Sequence, residues 1–212
     1  MASSNDLIHP AALVSPLAEI AAGVEIGPFA IVEEGVKIGT ACRIGAHAHV
    51  LRGVEMGENN TVDRGAVIGG DPQSLGFDRS TASGVRIGAG NVFREHVTIH
   101  RSTLGGGLTV IGNNNFLMAG AHVGHDSALG DYNILANNAM VAGHVTVGSR
   151  CFIGGGAGIH QFIRIGDFAM IQGNSAISQD VPPYCMASDI NVVDGINVIG
   201  LRRAGQRCGA SP

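Results

Sequence analysis

Aliphatic residues return at every sixth position along most of the chain. The beat starts at Ile8 and passes through Val14, Ile20, Ile26, Val32, Ile38, Ile44, Val50, Met56 and Val62 to Ile68. It resumes at Ile87, Phe93 and Ile99, then runs unbroken from Ile111 to Ile177. Glycine often follows the aliphatic, as at Gly27, Gly39 and Gly124, and a small residue often stands four places after it, as at Ala30, Cys42 and Ser127. A period of 3.6 indicates helix and a period of 2 a simple strand. Six fits a short strand plus a turn. The +4 residue and the next aliphatic lie two apart, so both face inward from one strand while the +5 residue faces out. Three such units make one coil, and stacked coils make a parallel β-helix. The spacing does not give the handedness.

Two segments break the pattern. Residues 69–86 shift the phase, and residues 100–110 keep it but put Gly105 where an aliphatic belongs. Both read as loops leaving the coil, and loops on a rigid scaffold commonly carry function. The repeat ends at Pro182–Pro183, so residues 1–183 form the β-helix. Residues 184–212 form a short tail, in which INVVDGINVIGLRRAGQR (190–207) predicts one or two short helices.

Composition fits this scaffold. Glycine supplies 33 of 212 residues, aromatics 4% and charged residues 14%, and tryptophan is absent, so small aliphatics must fill the core. The net charge of −4 argues against a general nucleic-acid binder. Lys37 is the single lysine, which excludes a lysine nucleophile elsewhere. No apolar run of transmembrane length occurs, and MASSNDLIHP is not a signal peptide. Cys42, Cys151, Cys185 and Cys208 show no CxxC spacing and read as reduced thiols of a cytoplasmic protein.

The hexapeptide pattern resembles the left-handed parallel β-helix of hexapeptide-repeat acyltransferases. Within them the chain is most similar to the UDP-N-acetylglucosamine acyltransferases, the first enzymes of lipid A synthesis. The resemblance spans roughly residues 7–207. It is most specific at IHPAALVSP (8–16), VTIHR (97–101), AHVGHD (121–126), LANNAMVAGHV (135–145), IHQF (159–162) and QDVPPY (179–184). It implies an all-β, left-handed β-helix with a short C-terminal helical tail, most of the family's larger helical domain being absent from these 212 residues. It also implies a homotrimer with sites between subunits, and no metal or other cofactor.

Positions 18 apart stack on one edge of such a prism. Val123, Val141 and Ile159 form one set, with His125 and Asp126, Gly143 and His144, and His160, Gln161 and Phe162 beside them. His122 sits just before the same edge, so four of nine histidines converge over three coils. Histidine is a natural general base near neutral pH, and Asp126 is placed to orient an imidazole. His9, His47, His49 and His96 read as surface or packing residues, and His100 is undecided. Ser127 and Cys151 occupy inward positions, which disfavours a covalent acyl-enzyme. The chemistry favoured is direct attack of a substrate hydroxyl on a thioester, with His125 taking the proton.

By motif, the resemblance makes His125 the catalytic base and Asp126 its partner. It gives Gly143 an oxyanion-hole role through its backbone N–H. His122, His144, His160 and Gln161 would surround the sugar nucleotide, Gln73 would contact the sugar, and Asn197 and Arg203 the nucleotide. Gly173 matches the position limiting the acyl groove, although an ordinary turn glycine reads equally well. The implied donor is a (3-hydroxy)acyl group on acyl carrier protein, and the acceptor the 3-position of UDP-N-acetylglucosamine. Arg150, Arg164, Arg202, Arg203 and Arg207 would form either a docking surface for that acidic carrier or a solvated face.

Three positions depart from the family pattern: Ser74 replaces an aspartate, Gly76 a lysine and Ile199 a glutamate. Each removes a charge, so weak binding of the acceptor, or preference for its 3-amino analogue, stays open. So do three different functions: another hexapeptide acyltransferase on a related (amino-)sugar nucleotide, a gamma-carbonic-anhydrase-like metal enzyme, and a non-catalytic β-helix.

Overall fold

The structure, a computed structural model, describes residues 7–203 and 205. Three parallel sheets form the faces of a prism, and successive strands visit them in turn. The first sheet has nine strands, from Leu13–Val14 to Ala176–Ile177, and the second has eight, from Glu19–Ile20 to Arg164–Ile165. The third has ten, starting at Glu25–Ile26. Register follows the expected repeat, with Leu13 beside Ile31 and Met140 beside Gly158. The whole is a left-handed parallel β-helix.

The inward column is the beat read from the sequence. Ile26, Val32, Ile38 and Ile44 are buried, as are the +4 residues Ala30, Val36, Cys42 and Ala48. Corner glycines permit the coils to stack closely: a Cβ at Gly27 would lie 2.9 Å from the Ala46 nitrogen of the next coil. One interior column is polar. Asn60, Asn91, Asn115 and Asn133 are buried, and each accepts a 2.8 Å hydrogen bond from the backbone N–H of the next member, ending at Cys151. Buried amides need such partners, and this ladder carries the register across both interruptions.

Those interruptions lengthen their coils unequally. Val67 pairs with Thr98, far beyond the position that a plain coil would bring beside it, and the first loop shifts the phase of the repeat by one. Val85 pairs with Thr109, and the second loop lengthens its coil by one whole repeat unit, which keeps the phase. The strands Val67–Gly70, Gly84–Ile87, Thr98–His100 and Leu108–Ile111 reach into the expected loops, leaving 71–83 and 101–107 as connections.

The tail holds one of the expected short helices, but its first part is strand. Cys185–Ser188 extends the third sheet beside Met170–Ile171, and Val192–Ile196 folds back antiparallel to it. Val192, Val193 and Ile196 are β-branched and suit a strand, while Ser188 Oγ donates to Asp194. One short helix, Val198–Arg203, follows. No helix among the described residues is long and apolar enough to cross a membrane. Cys42 and Cys151 are buried free thiols and Cys185 a half-buried one; Cys208 lies outside the described residues.

Candidate functional site

A cleft of about 830 Å³ lies against the outer face of the first sheet. Its floor is the outward column His122, Met140, Gly158 and Ala176, which the parallel register stacks one per coil. Along one side the corners contribute His125, Gly143, His160 and Gln161. Gln73 reaches the cleft from the first loop, and Ile190 from the bend before the last strand. Six of the residues expected to act together, Gln73, His122, His125, Gly143, His160 and Gln161, therefore line one cavity.

Asp126 sits behind His125. His125 Nδ1 is 2.8 Å from Asp126 Oδ2, which fixes the ring and directs Nε2 away from the carboxylate. Asp126 also accepts from Ser102 Oγ, from Thr103 Oγ1 at 2.6 Å and from Thr103 N–H at 3.1 Å. Its own N–H donates to Thr109 Oγ1 at 2.8 Å. Burial alone would raise the carboxyl pKa, but the hydrogen bonds from Ser102, Thr103 and His125 outweigh it and hold the group at about 2. Asp126 is an anion at every pH at which the protein would work.

Asp126, His144 and Phe162 occupy one corner column, all in the left-handed backbone region at φ of 60°, 59° and 66°. Such backbone is uncommon outside glycine and is most accessible to Asp, Asn and His. His144 stacks flat on Phe162 at 4.7 Å and meets His125 edge-on at 5.0 Å. Its Nε2 lies 3.8 Å from Asp126 Oδ2, beyond hydrogen-bond reach. His144 thus backs the pair without lining the cleft.

Gly143 lies against the His125 ring: a Cβ there would be 2.6 Å from Nε2. Among the described residues no group accepts from the Gly143 N–H. His122 Nδ1 is 2.8 Å from Thr98 Oγ1, and burial, then the neighbouring His125, lowers its pKa. His160 is exposed, with Nδ1 3.2 Å from the Gln161 carbonyl.

His100, undecided from sequence, lines the cleft edge-on to His122 at 4.7 Å. Burial, with smaller contributions from His122 and His125, pushes its pKa down to about 4, so it is neutral near pH 7. The repeat pattern does not single out Ser102 and Thr103 either. Their signal is the second loop itself, whose added length brings them back onto Asp126.

Asn197 is not in this cleft. It is buried beside the third sheet, donating from Nδ2 to the Phe168 carbonyl at 2.8 Å and capping the helix by accepting from Gly200 N–H at 2.9 Å. Gly173 stands on an exposed corner outside the cleft lining, and a Cβ there would lie 3.1 Å from the Gly155 carbonyl. The Arg203 side chain and all of Arg207 lie outside the described residues. Of the other arginines, Arg150 lies between Tyr132 and Phe168 with its guanidinium 4.7 and 5.9 Å from the rings, and Arg164 pairs with Asp180. Arg202 is exposed.

Ligand atoms of His125, Asp126 and His144 lie within 4.8 Å of one another, as a cation site would require. Asp126 already accepts four hydrogen bonds and faces the ring nitrogen that His125 would have to offer. The arrangement is that of an oriented imidazole. Among the described residues no cysteine lines the cleft, and burial raises the pKa of the inward-facing Cys151 to about 12. Ser127 Oγ is buried and donates to the Ala142 carbonyl.

Residues 17–52 and 108–143 match the model of the bacterial transferase hexapeptide (six repeats). Residues 144–179 match that of the hexapeptide repeat of succinyl-transferase. Residues 180–207 match that of UDP N-acetylglucosamine O-acyltransferase, domain 2. The chain is 46% identical over 200 residues to the acyl-[acyl-carrier-protein]–UDP-N-acetylglucosamine O-acyltransferase of Thermodesulfovibrio yellowstonii, covering 93% of this chain and 77% of that one. Among solved structures, LpxA from Acinetobacter baumannii superposes with a TM-score of 0.92 at 41% identity, covering 96% of this chain and 79% of the other. The UDP-N-acetylglucosamine acyltransferase of Francisella novicida does so with a TM-score of 0.92 at 36% identity, over 95% and 74%.

Proposed function

The chain belongs to the acyl-[acyl-carrier-protein]–UDP-N-acetylglucosamine O-acyltransferase family, and on that premise we propose how its cleft carries an acyl group from acyl carrier protein to the 3-hydroxyl of UDP-N-acetylglucosamine. The observation that carries the reading is the His125–Asp126 pair, held at 2.8 Å in a cleft that has a polar end at Gln73 and His122 and an apolar end at Ile190.

His125 keeps its Nδ1 proton on Asp126, and Nε2 takes the proton of the sugar 3-hydroxyl as that oxygen attacks the thioester carbonyl. The new C–O bond forms, and the carbonyl oxygen becomes an oxyanion accepting from the Gly143 N–H. Collapse breaks the C–S bond, and the proton on His125 passes to the departing thiolate. Asp126, fixed as an anion, stabilises the transient imidazolium. Gln73, His122, His160 and Gln161 hold the sugar. His144 steadies His125 from behind, and the acyl chain lies along Met140, Gly158 and Ala176 towards Ile190, with Gly173 flanking it. Arg203, which matches a nucleotide-contacting position of the family, serves the nucleotide, while Asn197 is committed to capping the helix.

The cleft has one wall in a single chain, with Met140 half exposed and Ile190 largely so. A second copy supplies the other wall, and the assembly is a trimer in the cytoplasm, near three times 21.7 kDa. Arg202 belongs to the surface that meets the acidic carrier protein. The reading is tested by incubating the protein with UDP-N-acetylglucosamine and a series of acyl carrier proteins and identifying the product by mass spectrometry. A 3-O-acylated sugar nucleotide supports it; absence of any acylated product with every donor overturns it.

A further inference from the structure

The second loop does more than orient Asp126. Arg101, whose side chain is 7% exposed, holds the first loop from its other end. Its backbone N–H donates to the Gly70 carbonyl at 2.9 Å. Its guanidinium donates to Asp71 Oδ1 at 2.9 Å, Ser83 Oγ at 3.1 Å, the Arg79 carbonyl at 2.9 Å and the Thr81 carbonyl. It also lies 4.8 Å over the Phe77 ring. Nearly all of its N–H donors are thus spent on residues 71–83, the loop that carries Gln73 into the cleft. The next two residues, Ser102 and Thr103, spend their hydroxyls on Asp126.

We propose that Arg101–Ser102–Thr103 is a strap that positions both halves of the site. Arg101 latches the loop bearing the acceptor-binding Gln73, and Ser102 and Thr103 latch the carboxylate behind His125. These are positioning residues; none touches the reacting atoms. The kinetic consequences of the strap rest on the acyl-transfer reading, and its structural consequence on geometry alone. The two ends act on different steps. Freeing the first loop removes binding of the sugar nucleotide, which raises its KM. Freeing Asp126 loosens the base, which lowers kcat.

The test is a set of point variants of the whole protein, read by steady-state kinetics and by limited trypsin digestion at Arg79, whose side chain is 87% exposed in the held loop. Arg101→Ala should speed cleavage after Arg79 by about tenfold or more, because the loop then opens locally. It should raise the KM for UDP-N-acetylglucosamine roughly 10- to 100-fold, the range for lost charged hydrogen bonds, leaving the KM for acyl carrier protein in place. Arg101→Lys, which keeps the charge but not the fork, and Asp71→Asn should give the same pattern more weakly, and they serve if the alanine variant does not fold. The Ser102→Ala/Thr103→Val double variant should lower kcat by about tenfold or more, with KM and Arg79 cleavage as in wild type. Wild-type cleavage and wild-type KM in the Arg101 variants, or wild-type kcat in the double variant, overturn the strap. If the protein makes no acylated product at all, the acyl-transfer reading fails, and faster cleavage in Arg101→Ala still upholds the latch.

Discussion

A methyl group added at Gly143 should stop the enzyme without unfolding it. The new Cβ would stand 2.5 Å from His125 Cε1 and 2.6 Å from Nε2, where ordinary contact needs about 3.5–4.0 Å. The ring must therefore retreat by about 1 Å. It cannot do so freely, because Nδ1 is bonded to Asp126 at 2.8 Å and His144 packs edge-on at 5.0 Å. Displacing a catalytic group by about 1 Å costs on the order of 10²-fold in rate. The Gly143 backbone is not in the left-handed region, so alanine brings no φ strain, and the N–H remains for the oxyanion. Gly143→Ala should thus lower kcat about 100-fold while the protein stays folded, with a melting temperature lowered by no more than about 10 °C. The assay is release of free carrier-protein thiol with UDP-N-acetylglucosamine, alongside thermal melts. A kcat within about threefold of wild type would refute the claim that His125 must sit where Gly143 lets it sit.

Two further outcomes concern pH. The folded pKa of Asp126, about 2, is depressed from 3.8, so its contribution to stability is present above the unfolded value and is lost as pH falls from roughly 4 to 2. Asp126→Asn should flatten that stretch of a Tm-versus-pH curve. For His100 the folded value, about 4, lies below 6.5, so stability falls as pH drops from roughly 6.5 to 4; His100→Gln should remove that slope, and an unchanged curve would contradict the assignment. A Cβ at Gly76 meets nothing within 4 Å, so Gly76→Lys is tolerated and should lower the acceptor KM; an unmoved KM together with tight binding of UDP-N-acetylglucosamine by the wild type shows the departures at Ser74, Gly76 and Ile199 to be neutral.

The coil was legible because its signal is periodic: an inward aliphatic returns at every sixth position through most of the chain, and the coil period alone stacks His125 on Gly143 and Asp126 on His144. What that period could not reach lies in the two insertions. Nothing in the spacing says that the first excursion brings Gln73 back over the first sheet, or that Ser102 and Thr103 return to Asp126. These contacts are made by the insertions themselves, through Arg101 on the first loop and through Ser102 and Thr103 on Asp126, rather than by a repeat. The first part of the tail is strand and not helix for another reason. Residues 190–196 lack a helical period, and their β-branched side chains follow the free edge offered by Cys185–Ser188. Asn197 shows a third limit: a residue matched to a ligand by motif is, within one chain, the cap of a helix.

The central claim is that His125 is the base for direct transfer, and turnover of His125→Ala tests it most directly. With UDP-N-acetylglucosamine and acyl carrier protein, the variant should keep the wild-type fold and assembly and lose about 10²- to 10⁴-fold in kcat. Intact-mass spectra should show no acylated protein at any time in either form. Wild-type turnover in His125→Ala, or an acyl group carried on the wild-type chain during turnover, would contradict the account.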